Sequence, residues 1–395
     1  MYPDLSYLFH ALIGTSVDNW LSMFKTFGFF LALAFLASAF VFYIELKRKA
    51  AEGFFRPKIT HIVEGAPPKW SEVALNAFIG MVLLGKGLYA YQDFAAFRRD
   101  PASVILSGKM HWLGALAGAA IFGALTWWDA RRKQKEKPVA RRFELYPHHQ
   151  VSEITVWAAV GGILGAKFFE VFDNWQEFLN DPAGMLLSGG GLAFFGGLIL
   201  GAAAVIYYLR RNGIPFLPAA DACAPALVTG YGVGRLGCQF SGDGDWGIVN
   251  NAPKPGWLPE WLWASRYPHH VLNTPHTDPV PSVPVEGCTW DYCMQLSEPV
   301  YPTPLYETLM MALIFGILWT LRKQLKTPGL LFFIYLALIA VERFFIEKIR
   351  VNVTHDVAGV QLTQAEIISI LLFVIAAAGM WLTVRMRRAQ TLSEL

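Results

Sequence analysis

Apolar residues run along this chain in long blocks, and basic residues gather in the short stretches between them. A helix needs about 20 mostly apolar residues to cross a bilayer. Blocks of that kind lie at roughly 24–44, 73–92, 111–128, 154–173, 190–209, 219–236, 305–321, 329–346 and 364–384. They predict an all-α polytopic membrane protein of about nine transmembrane helices, a single integral membrane domain over 1–395.

Basic residues in short loops mark the cytoplasmic side. Clusters follow the first block (Lys47, Arg48, Lys49, Arg56, Lys58), the third (Arg131, Arg132, Lys133, Lys135, Lys137, Arg141, Arg142), the fifth (Arg210, Arg211), the seventh (Arg322, Lys323, Lys326) and the ninth (Arg385, Arg387, Arg388). The N-terminus is therefore expected outside and the C-terminus in the cytoplasm. Residues 1–19 hold no Lys or Arg, so they lack the basic start of a cleaved signal peptide, and the first block reads as an uncleaved span.

This topology puts 238–304 outside. That segment carries 11 of the 23 prolines, with Trp246, Trp257, Trp261, Trp263 and Trp290. Proline at this density prevents long helices and Trp favours the membrane interface, so the segment reads as an irregular extracytoplasmic cap on the bilayer. Its Cys288 and Cys293 would suit a disulfide in an oxidising compartment, or stand as two thiols. Cys223 and Cys238 lie in or beside an apolar block and read as small packing residues.

The chain also repeats. Lys86, Asp100-Pro101 and Leu106-Ser107-Gly108 recur 81 residues later as Lys167, Asp181-Pro182 and Leu187-Ser188-Gly189, each followed by a helix rich in small residues. Two tandem helical hairpins are expected, at 73–128 and 154–209.

Composition supports the membrane reading: 54% of residues are hydrophobic and 16% charged. A net charge of +3, spread over block ends, excludes a nucleic-acid binder.

Candidate chemistry falls at the outer ends of helices. Arg235 ends one apolar block and is followed by Asp243 and Asp245. An arginine there is costly without an anionic partner, and a lipid phosphate is one. YPTPLYE, Tyr301 to Glu307, enters the next block. ERFFIEKIR closes another, with Arg343, Glu347 and Arg350 at i, i+4 and i+7, on one helix face. Gly189, Gly190, Gly191, Gly196, Gly197 and Gly201 would allow close helix approach or leave room for an acyl chain. Arginine forks hold phosphate and stabilise a departing one, which suits phospholipid cleavage or transfer. His269 and His270 lack ligand spacing, so no metal and no cofactor is expected. No nucleophile elbow or nucleotide loop is present.

GRLGCQFSGDGDWG (Gly234 to Gly247) resembles the signature of the prolipoprotein diacylglyceryl transferases of the bacterial inner membrane. YPTPLYE resembles that family's YPSQLYE-like segment, and Arg343, Glu347 and Arg350 fit its R-x-x-x-E-x-x-R spacing. Phe194 to Gly201 resembles its glycine-rich segment, Gly165-Ala166-Lys167 its GAR-like segment, and Thr26-Phe27-Gly28 its first-helix element. The resemblance implies transfer of the diacylglyceryl group of phosphatidylglycerol to the lipobox cysteine of a preprolipoprotein. It implies that Arg235 and Arg343 bind the lipid and neutralise the phosphate, that Glu347 and Arg350 orient them, and that Gly247 permits close backbone approach. Tyr306 and Glu307 would shape the outer mouth, with Gly196 and Gly197 beside the lipid. The family has seven core helices, so 73–128 would be an added, peripheral hairpin.

Three departures stand out: Phe195 where many members have His or Tyr, Phe27 for a Tyr, and Cys238-Gln239 for an Asn. They leave the base for the substrate thiol open among Asp243, Asp245, Glu347, His269 and His270, an acidic residue near Arg235 being favoured. A transporter and a catalytically inactive lipid-binding relative are the competing readings.

Overall fold

A computed structural model describes residues 1–395 except 100, 136–138, 188–192, 275–278, 358 and 394–395. Among the described residues there are fifteen α-helices: α1 (Leu5–Ile13), α2 (Thr26–Ala51), α3 (Trp70–Gln92), α4 (Phe94–Arg99), α5 (Pro101–Leu106), α6 (Trp112–Lys133), α7 (Val151–Asp173), α8 (Trp175–Asn180), α9 (Pro182–Leu187), α10 (Phe194–Arg211), α11 (Phe216–Ser241), α12 (Glu260–Trp263), α13 (Thr303–Leu321), α14 (Leu330–Ile346) and α15 (Gln364–Ser393). Among the described residues, six helical segments are long and apolar enough to cross a membrane: α2, α3, α6, α13, a segment Pro147–Asp173 that contains α7, and the Gln364–Arg388 part of α15. Large apolar side chains such as Leu36, Phe40, Leu116, Leu164 and Leu371 are exposed along these helices, as lipid-facing residues are in a polytopic membrane protein.

The chain divides into two compact units, Met1–Phe55 with Asn212–Leu395, and Arg56–Arg211. In the second unit two long helices, α3 and α6, cross closely and are joined by the short α4 and α5; α7 and α10 are joined likewise by α8 and α9. Small residues set both crossings. A Cβ on Gly80 would lie 2.3 Å from the Gly118 carbonyl oxygen, and one on Gly165 would lie 2.3 Å from that of Gly196. The strands β1 (Lys58–Glu64) and β2 (Val139–Leu145) form an antiparallel ribbon.

The first unit packs α11 against α2, α13 and α14. Its core holds Ala224, Val228, Met311, Ile314, Leu318 and Leu331. One end is tied by buried charges. Lys49 pairs with Asp221 at 3.1 Å, and Asp221 accepts from the Gly329 and Phe332 amides that open α14, both at 2.9 Å. A carboxylate at a helix N-terminus is favoured by the unpaired amides there. Glu45 holds Arg48 at 2.8 Å and also pairs with Arg322. Arg235 lies 14 residues beyond Asp221 on α11, about 21 Å away along the axis at 1.5 Å per residue.

The segment after α11 is largely irregular and has a small core of Trp246, Tyr267, Val280, Leu296 and Val300. It contains α12 and the two-stranded sheet β3 (Ser282–Pro284) with β4 (Met294–Leu296). A Cys288–Cys293 disulfide, Cα–Cα 5.6 Å, closes a turn in it, which resolves the two thiol states left open by the sequence. A third ribbon, β5 (Thr354–Val357) with β6 (Val360–Thr363), precedes α15.

Candidate active site

Glycine ends α11. Gly242 has φ 65°, a left-handed conformation that costs glycine little, and its amide bonds back to the Cys238 carbonyl at 3.0 Å. The chain then doubles back, which brings Asp245 over the last turns of α11 beside Arg235.

Arg235 donates through Nε to Glu307 Oε2 at 2.5 Å and pairs through Nη1 with Asp245. Arg350 donates through Nη1 to Glu307 Oε1 and through Nη2 to Asp245 Oδ1, both at 2.8 Å. Two guanidinium groups and two carboxylates thus alternate in a closed ring. Tyr231 adds a hydroxyl donated to Glu307 Oε2 at 2.5 Å, and its ring lies 5.2 Å from the Arg235 guanidinium carbon. Glu307 is fully buried, whereas the Asp245 side chain is 36% exposed. The ring therefore has a closed inner edge and an open outer one.

Backbone contacts hold it. Gly247 donates its amide to the Tyr301 carbonyl at 2.9 Å, Ile248 donates to that of Ile349 at 2.9 Å, and Thr303 Oγ1 donates to the Asp245 carbonyl at 2.7 Å. A Cβ on Gly247 would lie 2.4 Å from the Ile349 carbonyl oxygen, so this crossing of strands requires glycine.

The shared face expected for Arg343, Glu347 and Arg350 is corrected by the structure. α14 ends at Ile346, Glu347–Ile349 form one 3-10 turn, and Arg350 has extended backbone, φ −93° and ψ 157°. The extra turn, pinned by the bridge between Gly247 and Arg350, swings Arg350 into the ring. Arg343 and Glu347 keep their i, i+4 pairing at 3.1 Å, and Glu347 also accepts from Asn352 at 2.5 Å. The Arg343 side chain is 27% exposed, against 14% for Arg235 and 11% for Arg350.

Asp243 and Asp245, two residues apart, are driven in opposite directions. Burial, reinforced by the Asp245 charge, raises the Asp243 pKa from its usual value. Burial would raise that of Asp245 too, but Arg235 and Arg350 override it and lower it. Asp245 is thus a poor base and Asp243 a better one. Burial lowers His269, whose Nδ1 lies 2.7 Å from the Tyr292 carbonyl, and His270 is fully buried with Nε2 3.1 Å from Ser282 Oγ. Both histidines are engaged within the segment that follows α11.

Ligand atoms of Cys238, Asp243 and Asp245 lie within 4.8 Å of one another and are the group, among the described residues, with the spacing to hold a cation. Two arginines already compensate Asp245, so the charge a cation would need is largely spent.

Of the other residues singled out in the sequence, Tyr306 donates its hydroxyl to the Leu262 carbonyl at 2.8 Å and so fastens α13 to the segment after α11. Gly196 and Gly197 belong to the second unit, where they let α10 approach α7; Gly201 does the same. Gly189, Gly190 and Gly191 lie outside the described residues, as does the Phe195 side chain. Sequence reasoning put Glu307 at the mouth and passed over Tyr231. The i, i+4 spacing of Tyr231 and Arg235 was the available signal.

The model of the family described as prolipoprotein diacylglyceryl transferase matches residues 101–382. Similar curated proteins carry the name phosphatidylglycerol-prolipoprotein diacylglyceryl transferase. That of Corynebacterium efficiens is 31% identical over 57% of this chain and 66% of its own length. Those of Trichormus variabilis and Staphylococcus carnosus are 26% and 28% identical, over 70% and 73% of this chain and 87% and 90% of their own. The chain thus spans slightly less than two thirds of the first of these relatives and most of the other two.

Proposed function

The chain belongs to the prolipoprotein diacylglyceryl transferase family, and on that premise we propose that it transfers the sn-1,2-diacylglyceryl group of phosphatidylglycerol to the lipobox cysteine thiol of a preprolipoprotein. The products are a thioether and glycerol phosphate. The observation that carries the reading is the ring of Arg235, Asp245, Arg350 and Glu307, because it stores two guanidinium groups in a form that a phosphate can claim.

In this mechanism the lipid phosphate enters from the open edge and displaces Asp245, the more exposed carboxylate. That frees Arg235 Nη1 and Arg350 Nη2 for charge-assisted bonds to phosphate oxygens, while Glu307 keeps both arginines aimed. Arg343 approaches from its more exposed position and adds a third cation. As the bond between the glyceryl carbon and the phosphate oxygen breaks, negative charge grows on that oxygen, and fixed guanidinium groups in a water-poor site stabilise it most effectively. Asp243 takes the thiol proton, since its surroundings raise its affinity for one.

The finer topology belongs to the same reading. Nine helices span the bacterial inner membrane, with the N-terminus outside and the C-terminus in the cytoplasm. The hairpins at 73–128 and 154–209 are tandem copies, the first an addition to a seven-helix core. The segment 238–304 faces the lipobox peptide.

The test is transfer in liposomes that contain phosphatidylglycerol and a lipobox peptide, followed by mass spectrometry of the peptide and assay of released glycerol phosphate. The wild type is expected to add one diacylglyceryl mass, and Arg235→Ala and Arg343→Ala to lose that addition. A wild type that binds phosphatidylglycerol and never modifies the peptide would overturn the reading in favour of a lipid-binding relative.

A further inference from the structure

One residue beside the ring is absent from this mechanism. Glu342 is on α14, one position before Arg343, and is 4% exposed. Among the described residues neither of its carboxyl oxygens has a hydrogen-bond partner. The groups whose charge or polarity bears on it are Tyr231 and Arg235 on α11, Glu307 on α13, Tyr335 and Arg343 on α14, and Arg350 beyond it.

Three guanidinium groups stand in this cluster (Arg235, Arg343, Arg350), and three carboxylates answer them (Asp245, Glu307, Glu347). Each arginine has its carboxylate partner without Glu342. A fourth ionised carboxylate, buried and receiving no donor, would be an uncompensated charge, which protein interiors penalise heavily. Glu342 is therefore a neutral acid, and its proton has no acceptor. A carboxylic acid held neutral beside a site of developing negative charge is suited to donate a hydrogen bond and then the proton. An unbonded buried acid with no such task would be a liability that an apolar side chain avoids.

We propose that Glu342 is the general acid for the leaving group, its carboxyl hydrogen-bonded to the phosphate oxygen that bridges to the glyceryl carbon. This rests on the transferase reading above. The S–H bond breaks and its proton passes to Asp243 as the S–C bond forms. The C–O bond breaks, its electron pair stays on the phosphate oxygen, and that oxygen takes the Glu342 proton. Glycerol phosphate then leaves with one negative charge fewer than it would otherwise carry. Asp243 gives up its proton to water and Glu342 takes one back, which completes the cycle.

The experiment compares wild type with Glu342→Gln and Glu342→Asp in the liposome transfer assay from pH 6 to 10, alongside phosphatidylglycerol affinity and thermal unfolding in detergent. Glutamine can still donate an N–H but has no proton to give. The expected result for Glu342→Gln is lipid affinity within about threefold of wild type and turnover lower by about 10²–10⁴-fold, the range of general acid catalysis. The unfolding temperature is expected to stay the same or rise. Because the protonated form is the active one, wild-type turnover falls as pH rises past the Glu342 pKa, and the variant lacks that fall. Glu342→Asp, which keeps a proton to give, is expected to recover part of the rate. The proposal is overturned if Glu342→Gln turns over within about threefold of wild type, if affinity and rate drop together equally at all pH values, or if the variant fails to fold. A wild type that transfers nothing removes the reaction itself and is told apart by that control.

Discussion

Glu307→Gln tests the ring directly. The native carboxylate is fully buried and receives Arg235 Nε at 2.5 Å, Arg350 Nη1 at 2.8 Å and the Tyr231 hydroxyl at 2.5 Å. Glutamine keeps one acceptor oxygen and turns an amide toward a guanidinium, so one cation loses its partner at the buried edge of the ring. Removing one member of a buried ion pair costs about 3–5 kcal/mol. Asp245→Asn removes the same charge from the same ring, but its side chain is 36% exposed, so solvent screens the loss to about 1 kcal/mol. The assay is reversible unfolding in mixed micelles, titrated with denaturing detergent and followed by tryptophan fluorescence. Glu307→Gln should lower stability at least twice as much as Asp245→Asn. Combined with Arg350→Ala it should cost less than the two single losses together, by more than about 1 kcal/mol, because the second change removes the cation stranded by the first. Equal effects from Glu307→Gln and Asp245→Asn, or strict additivity with Arg350→Ala, would refute the argument that burial makes Glu307 the anchor of the ring.

Other outcomes follow from the same geometry. Gly247→Ala places a methyl 2.4 Å from the Ile349 carbonyl oxygen and 2.9 Å from Thr303 Cγ2. It should cost about 1–3 kcal/mol of stability and, by displacing Arg350, slow transfer about 10²-fold in the liposome assay. Asp243 has its pKa raised by burial and by Asp245, so its protonated form is favoured by the fold. That stabilisation is complete below the unfolded pKa near 3.9 and is lost as pH rises through the higher folded value. At neutral pH, Asp243→Asn should therefore unfold no earlier than wild type. As the thiol's base Asp243 must be ionised, so wild-type transfer should rise with pH through a midpoint higher than that of an ordinary aspartate, and the asparagine variant should lose both rate and limb. Under denaturing conditions, alkylation followed by mass spectrometry should label Cys223 and Cys238 alone, and all four cysteines only after reduction.

Local features of the sequence carried much of this protein. Helical blocks are legible because a bilayer demands long apolar runs, and a buried or exposed helix satisfies its own backbone whatever its neighbours do. Gly234 to Gly247 was legible because a turn with glycines at fixed offsets can be read without knowing its partners. Arg235, Asp245 and Arg350 could be named from residue type and position for the same reason. What pairs with what could not be read. Arg235, Asp245, Glu307 and Arg350 come from segments up to 115 residues apart, and only the packing of α11, α13 and the turn after α14 decides that they alternate in one ring. The same dependence on surroundings separates Asp243 from Asp245, neighbours in sequence with opposite proton affinities, and Glu347 from Glu342, of which one has an arginine and the other has no hydrogen-bond partner among the described residues. Residue type sets what a carboxyl group can do; the field of the folded protein, summed over charges that the chain brings together from far apart, sets which protonation state it holds.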